Sequence, residues 1–224
     1  MKRKPYYETP LGVLYHGDCL EIMPQLEPVD LILTDPPYGI DYNPKMYPLY
    51  DKSKNDFKKI TGDETEPDLT EIFRMDCKKT IWGAENFYRQ LPHRGRWVCW
   101  YKRSWTMKPG SMYSGDFELA WMDKKKGFYK FINIIHGGVI NSDSLIGNNQ
   151  KRSHPTQKPV NLMMFCIELE NNIENVLDPF LGSGTTAIAC ERLKRRWIGI
   201  EIEEKYCEIA AKRIELERKQ RKLF

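Results

Sequence analysis

Asn175-Val176-Leu177-Asp178-Pro179-Phe180-Leu181-Gly182-Ser183-Gly184-Thr185-Thr186 is the stretch that decides the fold. An apolar strand runs into a glycine turn, and a helix of small residues is expected over 186–192. The glycines let backbone approach a ligand and adopt φ values that other residues resist. A second strand, Arg196-Trp197-Ile198-Gly199-Ile200, ends in Glu201, about 20 residues beyond the glycines. Strand, glycine loop, helix, strand and acid follow one another as in a nucleoside-binding βαβ unit, where the acid meets the ribose hydroxyls. The loop is not Gly-x-Gly-x-x-Gly and has no P-loop lysine, and Asp178 ahead of the glycines would repel a pyrophosphate. A nucleoside with a cationic or zwitterionic tail fits better.

A second apolar run, Val29-Asp30-Leu31-Ile32-Leu33, leads into Thr34-Asp35-Pro36-Pro37-Tyr38. The prolines fix φ and carry no N–H, so carbonyls before and between them are left to accept from another partner. The residue before each proline is extended. A rigid hook results, with acceptors close together and one aromatic face beside them. A planar base with an exocyclic amine suits it: the amine hydrogens go to Asp35 and a main-chain carbonyl, and the ring stacks on Tyr38. The alternative is a plain turn after a strand.

The remaining chain supplies further candidates. Residues 13–15 read as a strand ending in Gly17-Asp18, with a helix over 21–26. Asp18 can accept from a purine amine while the N–H of Cys19 meets a ring nitrogen, but on these residues alone a helix cap is the favoured reading of Asp18. Residues 39–65 form a long loop in which Lys45, Lys52, Lys54, Lys58 and Lys59 interleave with Tyr42, Tyr47, Tyr50 and Phe57. That pattern suits a nucleic-acid backbone with unstacked bases, or a solvated lid. A helix is expected over 69–80, strands at 81–82, 96–101 and 117–121, and a hairpin partner for the last over 128–135. Residues 156–170 read as a helix that Thr156 caps, with Pro159 in its first turn. Lys158 near that helix start suits a carboxylate. A closing amphipathic helix covers 205–219.

The 224 residues suffice for one domain with a substantial core. A hydrophobic content of 41% and a charged content of 29% fit a globular protein. No stretch approaches a transmembrane run, and residues 1–5 lead into no apolar signal segment. Six scattered cysteines without a Cys-x-x-Cys pair fit reduced thiols in a cytosolic protein, not a disulfide frame. Neither they nor the four histidines show metal-ligand spacing, so no metal is expected. A net charge of +4 permits a polyanionic partner without demanding one.

Asp-Pro-Pro-Tyr at 35–38 together with Asp-Pro-Phe-Leu-Gly-Ser-Gly-Thr-Thr at 178–186 closely resembles the amino-directed DNA methyltransferases that use S-adenosylmethionine, in the circularly permuted group called beta. The likeness extends over residues 13–213 and includes Gly17-Asp18, residues 116–121, His154-Pro155-Thr156-Gln157-Lys158-Pro159 and Gly199-Ile200-Glu201. It implies an α/β, Rossmann-like methyltransferase fold with a mixed, mostly parallel seven-stranded sheet and helices on both faces. The chain would be one domain: a catalytic half over 11–136 with a lid loop at 39–65, a short target-recognition or linker segment at 137–153, and a cofactor half over 154–224.

The resemblance also implies roles. Asp35, Pro36, Pro37 and Tyr38 would hold and activate a flipped base. Asp178, Pro179, Phe180, Gly182, Ser183 and Gly184 would line the methionine and sulfonium end of S-adenosylmethionine, with Thr185 near its carboxylate. Glu201 would bind the ribose, Asp18 and Cys19 the adenine, and Thr156 and Lys158 would close over the amino-acid end. The partner is duplex DNA with the target base out of the stack; a bacterial, archaeal or phage-encoded cytoplasmic enzyme is expected. Aspartate at the head of the catalytic motif leans to adenine N6, and cytosine N4 is the alternative. Methylation of RNA or a protein amide, or a catalytically silent DNA-binding subunit, are further readings. The interval before Thr156 is short for this family, so either specificity is loose and the recognised site short, or the loops at 39–65 or 104–115, or a homodimer or partner subunit, supply base contacts.

Overall fold

The computed structural model of the protein describes residues 4–41, 61–102, 116–123, 130–134, 136–137, 140–141 and 157–221. In chain order the elements are β1 (Tyr7–Glu8), β2 (Gly12–His16), α1 (Cys19–Ile22), β3 (Leu31–Thr34), α2 (Thr70–Arg74), β4 (Lys78–Trp82), β5 (Arg96–Tyr101), β6 (Phe117–Met122), β7 (Lys130–Asn133), β8 (His136–Gly137), β9 (Ile140–Asn141), α3 (Val160–Glu168), β10 (Asn175–Asp178), α4 (Thr185–Leu193), β11 (Arg196–Glu201) and α5 (Glu204–Arg221). They group into two compact units. The first holds residues 1–35, 68–80 and 156–224; the second holds 36–67 and 81–155. The segment up to Asp35 thus groups with the C-terminal third of the chain.

In the first unit the strands lie in the order β1-β2-β11-β10-β3. β1 folds back on β2, and β2, β11, β10 and β3 are parallel neighbours, with Leu14 opposite Gly199, Leu177 opposite Ile198 and Leu177 opposite Ile32. Parallel pairing needs a crossover, and α4 supplies it between β10 and β11. All four residues of β3 are buried, as a strand covered on both faces requires. Helix α4 packs against both α3 and α5. At the N-terminal edge Asp30 Oδ2 accepts from the N–H groups of Glu174 and Asn175 at 2.9 and 2.8 Å. Those donors hold its carboxyl below its ordinary pKa and lock the start of β10 to β3.

Because these four strands run the same way, their C-terminal ends share one edge. Gly17-Asp18 follows β2, Asp35 follows β3, Asp178 ends β10 and Glu201 ends β11. The sequence-expected acids are thus gathered by topology at the edge where open α/β sheets bind ligands.

In the second unit β5 lies between β6 and β7. The expected hairpin of residues 117–121 with 128–135 is not formed. β6 pairs with β5 in full antiparallel register, Trp97 opposite Trp121 and Tyr101 opposite Phe117, and β7 takes the other edge of β5 in parallel. β8 and β9 make a separate antiparallel ribbon. Among the described residues nine strands occur besides that ribbon, where seven were expected; β1, with two residues, is among the additions.

The helix expected over 69–80 stops early. α2 covers five residues, and Lys78-Lys79-Thr80-Ile81-Trp82 is strand. The two lysines disguised a buried strand. Lys79 is buried, its ammonium donating to the carbonyls of Met75 and Cys77 at 2.8 and 2.7 Å. No helix among the described residues is long and apolar enough to cross a membrane.

Candidate active site

Asp178 is the most constrained polar group at the strand-end edge. It is 3% exposed. Its Oδ1 accepts from Thr34 Oγ1 at 2.8 Å and from the Phe180 N–H at 3.1 Å, and its Oδ2 from Thr186 Oγ1 at 2.6 Å. Burial nevertheless pushes its pKa up to about 6, against the pull of these donors, and the charge of Asp35 raises it further. Both oxygens are thus engaged by protein donors. Asp178 was expected to line the ligand; the geometry makes it first the joint between β3, the glycine turn and α4. Pro179 and Thr185 beside it are buried and Phe180 is half-buried.

Glu201 is 8% exposed and accepts from the Gly182 N–H through Oε2 and the Glu203 N–H through Oε1, both at 2.8 Å. Burial raises its pKa to about 7. Each oxygen has a second lone pair, so ribose hydroxyls can donate without displacing the backbone. Beside it, a Cβ on Gly182 would meet no atom within 4 Å. Open space thus adjoins a buried acceptor. Gly184 has a different reason to be glycine: φ is +87°, and a Cβ would come within 3.0 Å of Ala210 on α5. Gly184 was expected to line the ligand; what its missing Cβ makes room for is Ala210. Ser183 is likewise turned to α5, where Arg213 donates to its Oγ at 2.8 Å. Asp18 does cap α1, its Oδ1 accepting from the Leu20 N–H at 2.8 Å. The cap occupies one oxygen, so it does not exclude an adenine contact through the other. Cys19 opens α1, and burial pushes its thiol up to about 11.

Asp35 follows β3 directly. Lys158 Nζ lies 2.7 Å from its Oδ2, with the lysine side chain 3% and the aspartate side chain 18% exposed. Sequence reasoning placed Lys158 at the ligand's amino-acid end; its pairing with Asp35 was missed, because 123 residues separate the two. α3 begins at Val160 with Pro159 as its N-cap, later than expected. Thr156 lies outside the described residues, as do the lid lysines and aromatics at 42–60 and His154.

Pro36, Pro37 and Tyr38 belong to the second unit, where two more residues emerge. Asp63 is 2% exposed, and its Oδ1 accepts from the N–H groups of Tyr38 and Gly39 at 2.8 and 2.9 Å, while its carbonyl accepts from Asp41 at 2.7 Å. One carboxylate therefore pins the backbone that carries the aromatic ring. Gly83 (φ +66°) lies against that ring, and a Cβ there would overlap it. Nothing in the sequence marked Asp63 except its place in a long polar stretch. Among the described residues no group of three or more His, Cys, Asp or Glu could hold a metal.

A family model described as DNA methylase, for N6- and N4-directed enzymes, matches residues 50–212. The chain is 30% identical to the Type II methyltransferase M2.LlaDCHI of Lactococcus lactis subsp. cremoris, over 94% of this chain and 92% of that protein. It is 29% identical to M2.DpnII of Streptococcus pneumoniae, over 96% and 93%. The crystal structure of the M1.HpyAVI–SAM complex superposes with a TM-score of 0.57 at 26% identity, covering 91% of this chain and all of that one. PvuII DNA methyltransferase (cytosine-N4-specific) shares the fold, with a TM-score of 0.59 at 20% identity over 94% and 88%. The open space at Gly182 and the buried acceptor Glu201 fit S-adenosylmethionine, the methyl donor of this fold's relatives.

Gly182→Asn keeps a residue tolerant of positive φ but fills that space. Calorimetry should show S-adenosylmethionine affinity at least about tenfold weaker, with thermal stability little changed; retained affinity would remove Gly182 from the pocket. Asp63→Ala strips two backbone donors of their acceptor and should cost about 2–3 kcal/mol of stability, with methyl transfer falling and cofactor affinity kept; wild-type turnover and stability together would contradict the pin.

Asp178 and Glu201 both bind protons more tightly folded than unfolded. Their stabilisation is complete below their unfolded pKa values, near 4, and is lost as pH rises through about 6 and about 7. Urea unfolding between pH 5 and 8 should show stability falling across that window, and Glu201→Gln should remove about 3 kcal/mol of that fall. An unchanged slope in the variant would show that Glu201 titrates normally.

Proposed function

The chain belongs to the DNA methylase family of N6-adenine and N4-cytosine enzymes, and on that premise we propose that it methylates the N6 amine of an adenine flipped out of duplex DNA. One observation carries this reading: the Asp35 carboxylate, fixed by Lys158, stands at the end of β3, next in the parallel sheet to β10 and its glycine turn. The acceptor for an amine and the pocket for a nucleoside thus belong to one edge.

Each residue has a part in the transfer. Asp35 accepts a hydrogen bond from the target amine, whose lone pair is otherwise delocalised into the ring. It favours the attacking nitrogen as positive charge develops there, so it helps the transition state more than the ground state. Tyr38 offers a stacking face, and the N–H-free prolines leave carbonyl acceptors beside it. Glu201 takes the ribose hydroxyls, and Gly182 leaves room for the bound nucleoside. S-adenosylmethionine, when bound, supplies an electrophilic methyl on a sulfonium. Asp35 is positioned to receive the proton that the amine gives up.

The head-of-motif aspartate supports adenine over cytosine. The order of catalytic segment before glycine loop supports the permuted beta group. The Type II names of the relatives support a role in restriction–modification, in the cytoplasm of a bacterium. A homodimer is a source of DNA contacts in keeping with the short interval before Thr156.

The protein should be expressed in a host without DNA methylation, and the DNA digested to nucleosides and analysed by mass spectrometry. N6-methyladenine is expected, and Asp35→Ala should abolish it while S-adenosylmethionine binding stays within a few fold. Finding N4-methylcytosine alone, or methyl groups only in RNA or protein, would overturn the assignment.

A further inference from the structure

The contact between Lys158 and Asp35 is more than a surface ion pair. The lysine side chain is buried to 3% exposure, and its ammonium donates to Oδ2 at 2.7 Å. A buried ammonium is costly unless a carboxylate meets it. Two other carboxylates bear on the same place. Asp178, at the end of the neighbouring strand β10, is buried and feels the charge of Asp35; Glu201, at the end of β11, feels Asp178 in turn. Asp178 and Glu201 are met by hydroxyls and backbone N–H groups. Asp35 is met by a cation.

The difference matters for the chemistry. An aspartate beside a buried like charge tends to keep a proton, and a protonated Asp35 is a poor acceptor for an amine. A neighbouring cation reverses that tendency. With Oδ2 committed to the ammonium, the carboxylate cannot rotate freely, so the direction of Oδ1 is set as well. Resting on the methyltransferase reading, we propose that Lys158 is a positioning residue for the target amine: it holds the Asp35 carboxylate ionised and turned so that it can accept from the amine as the methyl is transferred. This goes beyond a role for Lys158 at the cofactor's amino-acid end, and the two make different predictions.

The test uses full-length wild-type protein with Lys158→Met and Lys158→Arg, measuring methyl transfer to duplex DNA between pH 5 and 9. Removing the cation raises the pKa of Asp35. The accepting form is the ionised one, so activity is lost from the acid side. The acidic limb of kcat should therefore move up by about 1–3 pH units in Lys158→Met, leaving kcat tenfold or more below wild type on that limb and recovering as pH rises. Lys158→Arg should restore the limb, because it keeps the charge. If Lys158 served only the cofactor, KM for S-adenosylmethionine would rise with the limb unmoved. If it served only the fold, the melting temperature would fall with the limb unmoved. Either result overturns the proposal.

A second readout needs neither DNA nor turnover. The carboxyl carbon of Asp35, labelled with carbon-13 and assigned with Asp35→Asn, should titrate at higher pH in Lys158→Met than in wild type. An unchanged titration overturns the proposal even if activity falls. A wild-type protein that transfers no methyl to DNA would sink the functional reading instead, and this titration would still decide whether Lys158 keeps Asp35 ionised.

Discussion

The buried Asp178 carboxylate is the joint on which the strand-end edge depends. Thr34 reaches it from β3, the Phe180 N–H from the glycine turn and Thr186 from α4. A charge taken out of water is tolerated only when its lone pairs are filled by donors, and here each of three segments contributes one. The same three bonds that stabilise the charge fix where Asp35 leaves β3 and where the glycine turn begins. That burial still outweighs them is evident from the upward shift to about 6. The joint therefore weakens the preference for the ionised form while ordering everything around it.

Parallel topology makes this arrangement unavoidable. Strands that run the same way place their terminal residues side by side, so Asp18, Asp35, Asp178 and Glu201 are collected at one edge. Like charges so gathered repel, and the fold answers with oriented donors. Leu20 serves Asp18, three groups serve Asp178, and Gly182 and Glu203 serve Glu201. An edge of this kind rejects a pyrophosphate and favours a ligand with a cationic centre, which is the property the glycine loop had already suggested.

What could be read in the sequence was whatever depends on local order. The βαβ unit from Asn175 to Glu201, the strand into Asp35 and the acids at strand ends all follow from apolar runs, glycines and short spacing. Pairing was not legible. β7 chose β5 over its sequence neighbour β6, because a free strand edge, not proximity along the chain, decides the partner. β4 was hidden by Lys78 and Lys79, since a buried lysine whose ammonium reaches backbone carbonyls looks the same in sequence as an exposed one. Asp63, and the partner of Lys158, escaped for the same reason. Their importance lies in what they touch, 24 to 123 residues away. Gly184 was marked only as a ligand-lining glycine, and its packing against Ala210, 26 residues on, was not legible.

The two ends of the Asp-Pro-Pro-Tyr segment are held by different forces. Asp35 is held by a charge pair in the first unit, and Tyr38 by backbone donors to Asp63 and by the bare backbone of Gly83 in the second. A charge pair in a partly dry setting responds to pH and to neighbouring carboxylates. A backbone N–H cannot titrate, and the absence of a Cβ is indifferent to charge. One end of the segment is thus fixed through charge and the other through backbone geometry. On the proposed reading, that division seats the base by geometry that no charge disturbs, and keeps beside its amine a carboxylate whose charge a buried cation sustains.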